Sequence, residues 1–172
     1  MTTWARQEAI ELLLDAHRTG KPADPLTERF DGLDVDDAYA IQVGQVQRWV
    51  DDGAVVKGHK VGLSSAAMQR QLGVDQPDFG HLTDRMFHLE SQPIDPARFI
   101  AAKVEPEIAF VLAKPLEGPG VTSAEAAAAV EFVTPALEII DSRIRDWRIT
   151  LPDTIADNAS SGGVVLGSRP TP

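Results

Sequence analysis

Two glutamates stand two residues apart inside an apolar run, Lys103-Val104-Glu105-Pro106-Glu107-Ile108-Ala109-Phe110-Val111-Leu112. The run is apolar enough for a strand, and strand side chains alternate between faces. Val104, Pro106, Ile108, Phe110 and Leu112 then share one face, and Glu105 and Glu107 share the other. Residues i and i+2 lie about 6.6 Å apart along a strand, so the two carboxylates can converge on one point. Like charges that close raise each other's pKa unless something positive lies between them. A hard divalent cation is the economical partner, because carboxylate oxygens suit magnesium, manganese or calcium. Against this stands the plain alternative of an edge strand with both glutamates in water. Pro106 suits that alternative, since a proline inside a strand marks an edge or a bulge.

A second apolar segment alters the balance. Pro135-Ala136-Leu137-Glu138-Ile139-Ile140-Asp141 reads as a strand with a glutamate in its middle. Glu138 shares a face with Ala136 and Ile140, and burying an ionised carboxylate there costs several kcal/mol unless the charge is paired. Three carboxylates around a divalent ion leave a net charge of about −1 and open coordination positions, as a catalytic hard-metal site requires.

Composition narrows the chemistry further. Cysteine is absent, so disulfides, thiol catalysis and thiolate metal sites are excluded. The net charge of −10 argues against a nucleic-acid or anionic-membrane surface, both of which need clustered Lys and Arg. An anionic substrate stays open, because a bound cation can reverse the local sign. The N-terminus shows no basic segment leading into an apolar core, and no apolar run has membrane-spanning length. A cytoplasmic location is therefore expected. The 172 residues are one domain's worth of chain.

Taken in order, residues 4–18 read as an amphipathic helix with Ile10, Leu13, Leu14 and His17 on one stripe, His17 being a flank residue. Residues 21–33 form an acidic, Pro-rich connector. A second helix over about 35–51 opens on Asp34, carries a stripe of Tyr39, Val43, Val46 and Val50, and ends at Gly53. Residues 54–63 then read as a strand with His59, Val61 and Leu63 on one face and Lys60 on the other. Gly58 and Gly62 flank Lys60 at i−2 and i+2. Two readings stand: the glycines leave a hollow with an ammonium at its centre, or they mark bulges beside a solvated lysine. Ser64 and Ser65 can cap a short helix ending near Gly73. Residues 76–82 read as a turn-rich loop holding Asp78 and His81, where an Asp after Pro is ordinary turn chemistry. Residues 83–89 follow as a short strand. Thr122 and Glu125 make a capping box for an Ala-rich helix. Segment 142–152 is locally basic. Asp157-Asn158-Ala159-Ser160-Ser161-Gly162-Gly163 is either a cradle for a carboxylate or a flexible surface loop.

The motifs Gly58-His59-Lys60-Val61-Gly62-Leu63, Pro77-Asp78-Phe79-Gly80, Val104-Glu105-Pro106-Glu107-Ile108-Ala109, Leu137-Glu138-Ile139-Ile140-Asp141-Ser142 and Ala156-Asp157-Asn158-Ala159-Ser160-Ser161-Gly162 occur in that order. Together they resemble the 2-keto-4-pentenoate hydratase and 4-oxalocrotonate decarboxylase family of the fumarylacetoacetate hydrolase superfamily. The resemblance implies an α+β fold: an N-terminal helical region (1–53) and a metal-binding β-roll region of mixed sandwich type (54–172) within one compact domain. It also implies that the family's C-terminal strands have no counterpart within these residues. Magnesium or manganese is expected on Glu105, Glu107 and Glu138, with Lys60 and Asp78 as proton-transfer groups. Leu63, Asn158, Ser160 and Ser161 are expected to meet the substrate.

The expected activity is addition of water to 2-hydroxypenta-2,4-dienoate (2-keto-4-pentenoate), a product of aromatic meta-cleavage. The alternatives are a 4-oxalocrotonate-type decarboxylase and an inactive fragment that binds only metal or a partner subunit. A hydrolase using a histidine base ranks behind these, because His59 alternates away from Lys60. The resemblance further implies a homo-oligomer, or a complex with a partner hydratase or decarboxylase.

Overall fold

The structure, a computed structural model, describes residues 1–172 except for the side chains of Met68, Gln71 and Leu72. Its helices are α1 (Thr3–Thr19), α2 (Leu26–Arg29), α3 (Val35–Asp51), α4 (Ala66–Leu72), α5 (Ser123–Ala129) and α6 (Leu151–Ala156). Its strands are β1 (Val56–Gly62), β2 (Asp78–Thr83), β3 (Phe87–His88), β4 (Lys103–Leu112), β5 (Val130–Ile140) and β6 (Ser161–Leu166). Strands β1 and β2 form an antiparallel pair, and the other four form a mixed sheet in the order β3-β6-β5-β4. The mixing comes from β3, which runs parallel to β6.

The helical layer is closed by apolar packing. Leu13, Leu26, Ile41, Ile144 and Ile155 are buried in one cluster with Ala9, Ala38 and Ala156. Residues 144–156 thus lend side chains to the layer begun by α1 and α3. Thr2 caps α1, accepting from Ala5 N, and Asp34 caps α3 by accepting from Asp37 N. The buried face of α3 is rotated from the expected stripe. Val43 and Val50 are exposed, whereas Gln42 and Gln45 are wholly buried. Burying an amide costs free energy unless its donors are satisfied, and here they are. Gln42 Nε2 donates to Phe79 O and Ile155 O, and Gln45 Nε2 donates to Ala156 O. These bonds tie α3 to β2 and to the end of α6.

Residues 76–82 are not a loop from end to end, because Asp78–Thr83 pairs with β1 in the register Gly62↔Asp78, Lys60↔Gly80 and His59↔His81. Polar composition suggested a turn, yet Asp78, Gly80 and Leu82 alternate inward along a buried strand face. Residues 83–89 give only the two-residue β3 after a 3-10 turn.

Strand β4 lies at the edge of the sheet, paired on one side only by β5. Its outer face is apolar and uncovered among the described residues, with Val104 60% and Ile108 62% exposed. No helix among the described residues is long and apolar enough to cross a membrane.

Candidate metal and proton-transfer site

Cross-strand register brings the three glutamates together. Residues directly opposite on paired strands point to the same face, and Glu105 stands opposite Glu138 on β5, which stands opposite Val164 on β6. Glu107, two residues on, keeps that face. One carboxylate oxygen from each of Glu105, Glu107 and Glu138 lies within 4.8 Å of the other two. Beside them, Ala136 and Val164 pack under Leu82 of β2 in a small apolar cluster. The cluster floors one side of the site and fixes the hairpin on the sheet.

The hairpin supplies the neighbouring charge. Lys60 Nζ lies 3.3 Å from Glu138 Oε1 and donates to Ala159 O at 2.9 Å. The contact with Glu138 is close enough for charge pairing but falls outside hydrogen-bond geometry, so Oε1 is buried without a hydrogen-bond partner. Burial pushes the Glu138 carboxyl up, Lys60 pulls it down, and Glu105 and Glu107 push it up again. Asp78 Oδ1 is likewise buried and unpartnered. Burial raises the Asp78 carboxyl, with Lys60 the principal opposing influence.

The glycines around Lys60 play different parts. A Cβ on Gly62 would lie 2.2 Å from Asp78 Oδ1 and 3.4 Å from Lys60 Nζ, whereas a Cβ on Gly58 would meet nothing within 4 Å. The hollow beside the ammonium is therefore one-sided and holds the Asp78 carboxylate. Gly80 also has a packing reason: a Cβ there would come 2.3 Å from Asn158 O.

That carbonyl belongs to a turn of unusual backbone. Asn158, Ala159 and Ser160 all have φ near +50°, a conformation that costs on the order of 1–2 kcal/mol per non-glycine residue. The surroundings hold it. Asn158 Nδ2 donates to His81 O, and Asn158 Oδ1 accepts from His81 N. Just before the turn, Asp157 accepts from Arg143 Nε at 2.5 Å, and Arg143 also donates to Ser161 O and Asp157 O. Both members of this ion pair are buried. Burial pushes Asp157 up to about 6 while Arg143 draws it down.

The turn presents Ala159 O to Lys60 and is a buried scaffold, not a flexible surface loop. Ser161 Oγ donates to Asn158 O, and Ser160 Oγ faces Thr154 Oγ1 at 3.3 Å. Leu63, also at positive φ, is half-buried beyond the end of β1, with its carbonyl accepting from Gln69 Nε2. His59 and His81 pair on the opposite face of the hairpin, ring centroids 4.8 Å apart, away from Lys60. The roles of Arg143, Asp157 and the Ala159 carbonyl had no signature in the sequence beyond a local basic run and a run of small residues.

The donor set suits a hard divalent ion. It offers three converging carboxylates, one of them the buried Glu138, whose Oε1 has the Lys60 ammonium as a charge partner but no well-formed hydrogen bond. A cation there would satisfy that oxygen and relieve the mutual repulsion of three acids.

Comparison with known proteins places this geometry in context. No protein-family model matches the chain. The 2-keto-4-pentenoate hydratase of Paraburkholderia xenovorans is 49% identical over 170 residues, covering 99% of this chain and 63% of the relative. The 2-hydroxyhexa-2,4-dienoate hydratase of Comamonas testosteroni is 43% identical over 161 residues, covering 92% and 61%. Among solved structures, the 4-oxalocrotonate decarboxylase from Pseudomonas putida G7, complexed with magnesium and adipate, superposes with a TM-score of 0.95. It is 31% identical and is matched over 99% of this chain and 65% of its own. The chain thus spans somewhat less than two thirds of the length of these relatives.

Proposed function

Because the chain belongs to the family of 2-keto-4-pentenoate hydratases and 4-oxalocrotonate decarboxylases, we propose that it carries the metal-binding and proton-transfer part of a divalent-metal-dependent hydratase. The observation that supports this best is the meeting of Glu105, Glu107 and Glu138 beside Lys60, with Asp78 behind it. The proposed substrate is 2-hydroxypenta-2,4-dienoate and the product 4-hydroxy-2-oxopentanoate. Identity favours hydration, since the P. xenovorans and C. testosteroni hydratases share 49% and 43% of aligned residues and the decarboxylase 31%.

Glu105, Glu107 and Glu138 would hold Mg2+ or Mn2+, which as a Lewis acid polarises a substrate oxygen and anchors a carboxylate. The chain's own groups manage the protons. Hydration takes the proton from the 2-hydroxyl and places one on C5, then adds hydroxide at C4 and a proton at C3. The net change is one water. Lys60, held by Ala159 O, stands where it can exchange a proton with the 2-oxygen. Asp78, a buried carboxyl raised by its desolvation and opposed by Lys60, is the group proposed to carry a proton between water and a substrate carbon. Gly62 leaves the space that lets the two approach. Leu63, Asn158, Ser160 and Ser161 are the residues proposed to meet the substrate, the last three from the turn that also holds Lys60. The reading includes a cytoplasmic homo-oligomer, with assembly onto a partner enzyme as an additional state.

The test offers 2-hydroxypenta-2,4-dienoate and 4-oxalocrotonate separately with Mg2+, following the dienol absorbance and released carbon dioxide. Loss of the dienol with formation of 4-hydroxy-2-oxopentanoate, without carbon dioxide, supports hydration. Carbon dioxide from 4-oxalocrotonate moves the assignment to the decarboxylase. Calorimetric Mg2+ binding without either product makes the chain a metal-binding module only. Glu107→Gln should weaken Mg2+ by about tenfold or more, as expected for losing one charged contact; unchanged affinity removes Glu107 from the ligand set.

A further inference from the structure

A cavity of about 210 Å³ lies apart from the glutamate cluster, and its wall contains none of Glu105, Glu107, Glu138, Lys60 or Asp78. His17, His88, Arg85, Arg98 and Arg143 surround it, in a chain whose net charge is −10. His88 sits against Gly163, which alternates with Val164 on β6 and so faces away from Glu138.

The donors around it are unevenly spent. Arg143 is committed to Asp157 and two carbonyls. Asp141, the carboxylate in the wall, accepts from Ile100 N and Ala101 N, so backbone amides already meet its charge. Arg85 donates to Asp52 O at 2.5 Å. Among the described residues, neither Arg85 nor Arg98 has a carboxylate partner. His17, expected as a flank residue, is turned inward with its ring edge-on to Trp49 at 5.1 Å. Its Nε2 is buried without a hydrogen-bond partner. Burial first, and Arg143 second, hold this imidazole well below its ordinary range. A neutral imidazole can carry its proton on Nε2 and donate it.

We propose that this cavity is a binding site for a small oxyanion of the carboxylate or phosphate class, gripped by Arg98 and Arg85 at the mouth and by His17 Nε2 at depth. Three features lead there. Two cations lack acidic partners, a buried imidazole nitrogen that can donate lacks any partner, and the volume admits a group of a few heavy atoms. An unmet buried donor costs free energy that an anionic acceptor would recover, and two arginines supply the geometry that carboxylates and phosphates prefer. Trp49 and Phe99 supply the apolar part of the wall beside His17. The inference stands on side chains remote from the carboxylates, so it survives if the hydratase reading fails.

The experiment uses the whole chain freed of metal with a chelator, which leaves the glutamate cluster repelling anions. Inorganic phosphate and acetate are titrated separately at fixed ionic strength, against a chloride control. The readout is the 15N shift of His17 Nε2 in histidine-labelled protein. One or both anions should move that resonance saturably, and the responding arm identifies the class. Arg98→Gln, at an exposed position, should weaken binding by about tenfold, while Arg29→Gln, far along the helical layer, should not. No saturable shift with either anion overturns the proposal. So does a shift that chloride reproduces, or an equal effect of the two arginine variants.

Discussion

The helical layer and the β4 edge are built on opposite terms. In the layer, Leu13, Leu26, Ile41 and Ile155 are fully buried, and the amide N–H groups of its buried glutamines reach carbonyls. At the edge, Val104, Ile108 and Phe110 face solvent, and Glu105 and Glu107 are exposed beside them. The site straddles the two. Lys60, Asp78 and the 158–160 turn are anchored to the packed side, while two of three acidic groups ride on a strand supported from one flank. Positional precision thus belongs to the proton-transfer half. The metal half depends on register with β5, and on a cation to hold its charges together.

The largest expected effect comes from breaking the anchor. Asp157→Ala leaves Arg143 buried without its counter-charge, which typically costs about 3–5 kcal/mol. Chemical denaturation measures the loss, and a change within about 0.5 kcal/mol would show that the ion pair does not support the turn.

The comparison itself is tested by paired truncations. Leu13→Ala in the layer should cost about 2–5 kcal/mol through cavity formation. Ile108→Ala on the β4 face should stay within about 0.5 kcal/mol. Similar losses from both would mean that the apolar face of β4 is covered in solution.

A smaller effect concerns acid. Folded His17 resists the proton that the unfolded chain accepts near pH 6.5. Its contribution to stability is therefore complete above that pH and is lost as pH falls below it. Between pH 7 and 5 the denaturation midpoint of the wild type should fall relative to that of His17→Phe, the buried carboxyls raised by desolvation contributing equally to both. An identical slope in the variant would place His17 in solvent.

The two regions also differed in how far the sequence disclosed them. Helix α1 and the ends of α3 followed from apolar spacing and caps, because these signals are local. The face of α3 did not. Gln42 and Gln45 count as polar until carbonyls from β2 and α6 arrive to accept their protons. Asp78 after Pro77 looked like turn chemistry because pairing with Gly62 is invisible until the strands meet.

What the sequence alone determined was the set of chemical types: three acids on two apolar segments, a lysine between glycines, and no thiol. Side-chain alternation along each strand also put Glu105 and Glu107 on one face, since that period is a property of extended backbone. Only the tertiary structure decided that Glu138 lies opposite Glu105, that Gly62 rather than Gly58 makes room for Asp78, and that a strained turn offers its carbonyl to Lys60. Those facts depend on register and on contacts between residues tens of positions apart. Local propensity carries no record of them, because their energies exist only once the strands have paired.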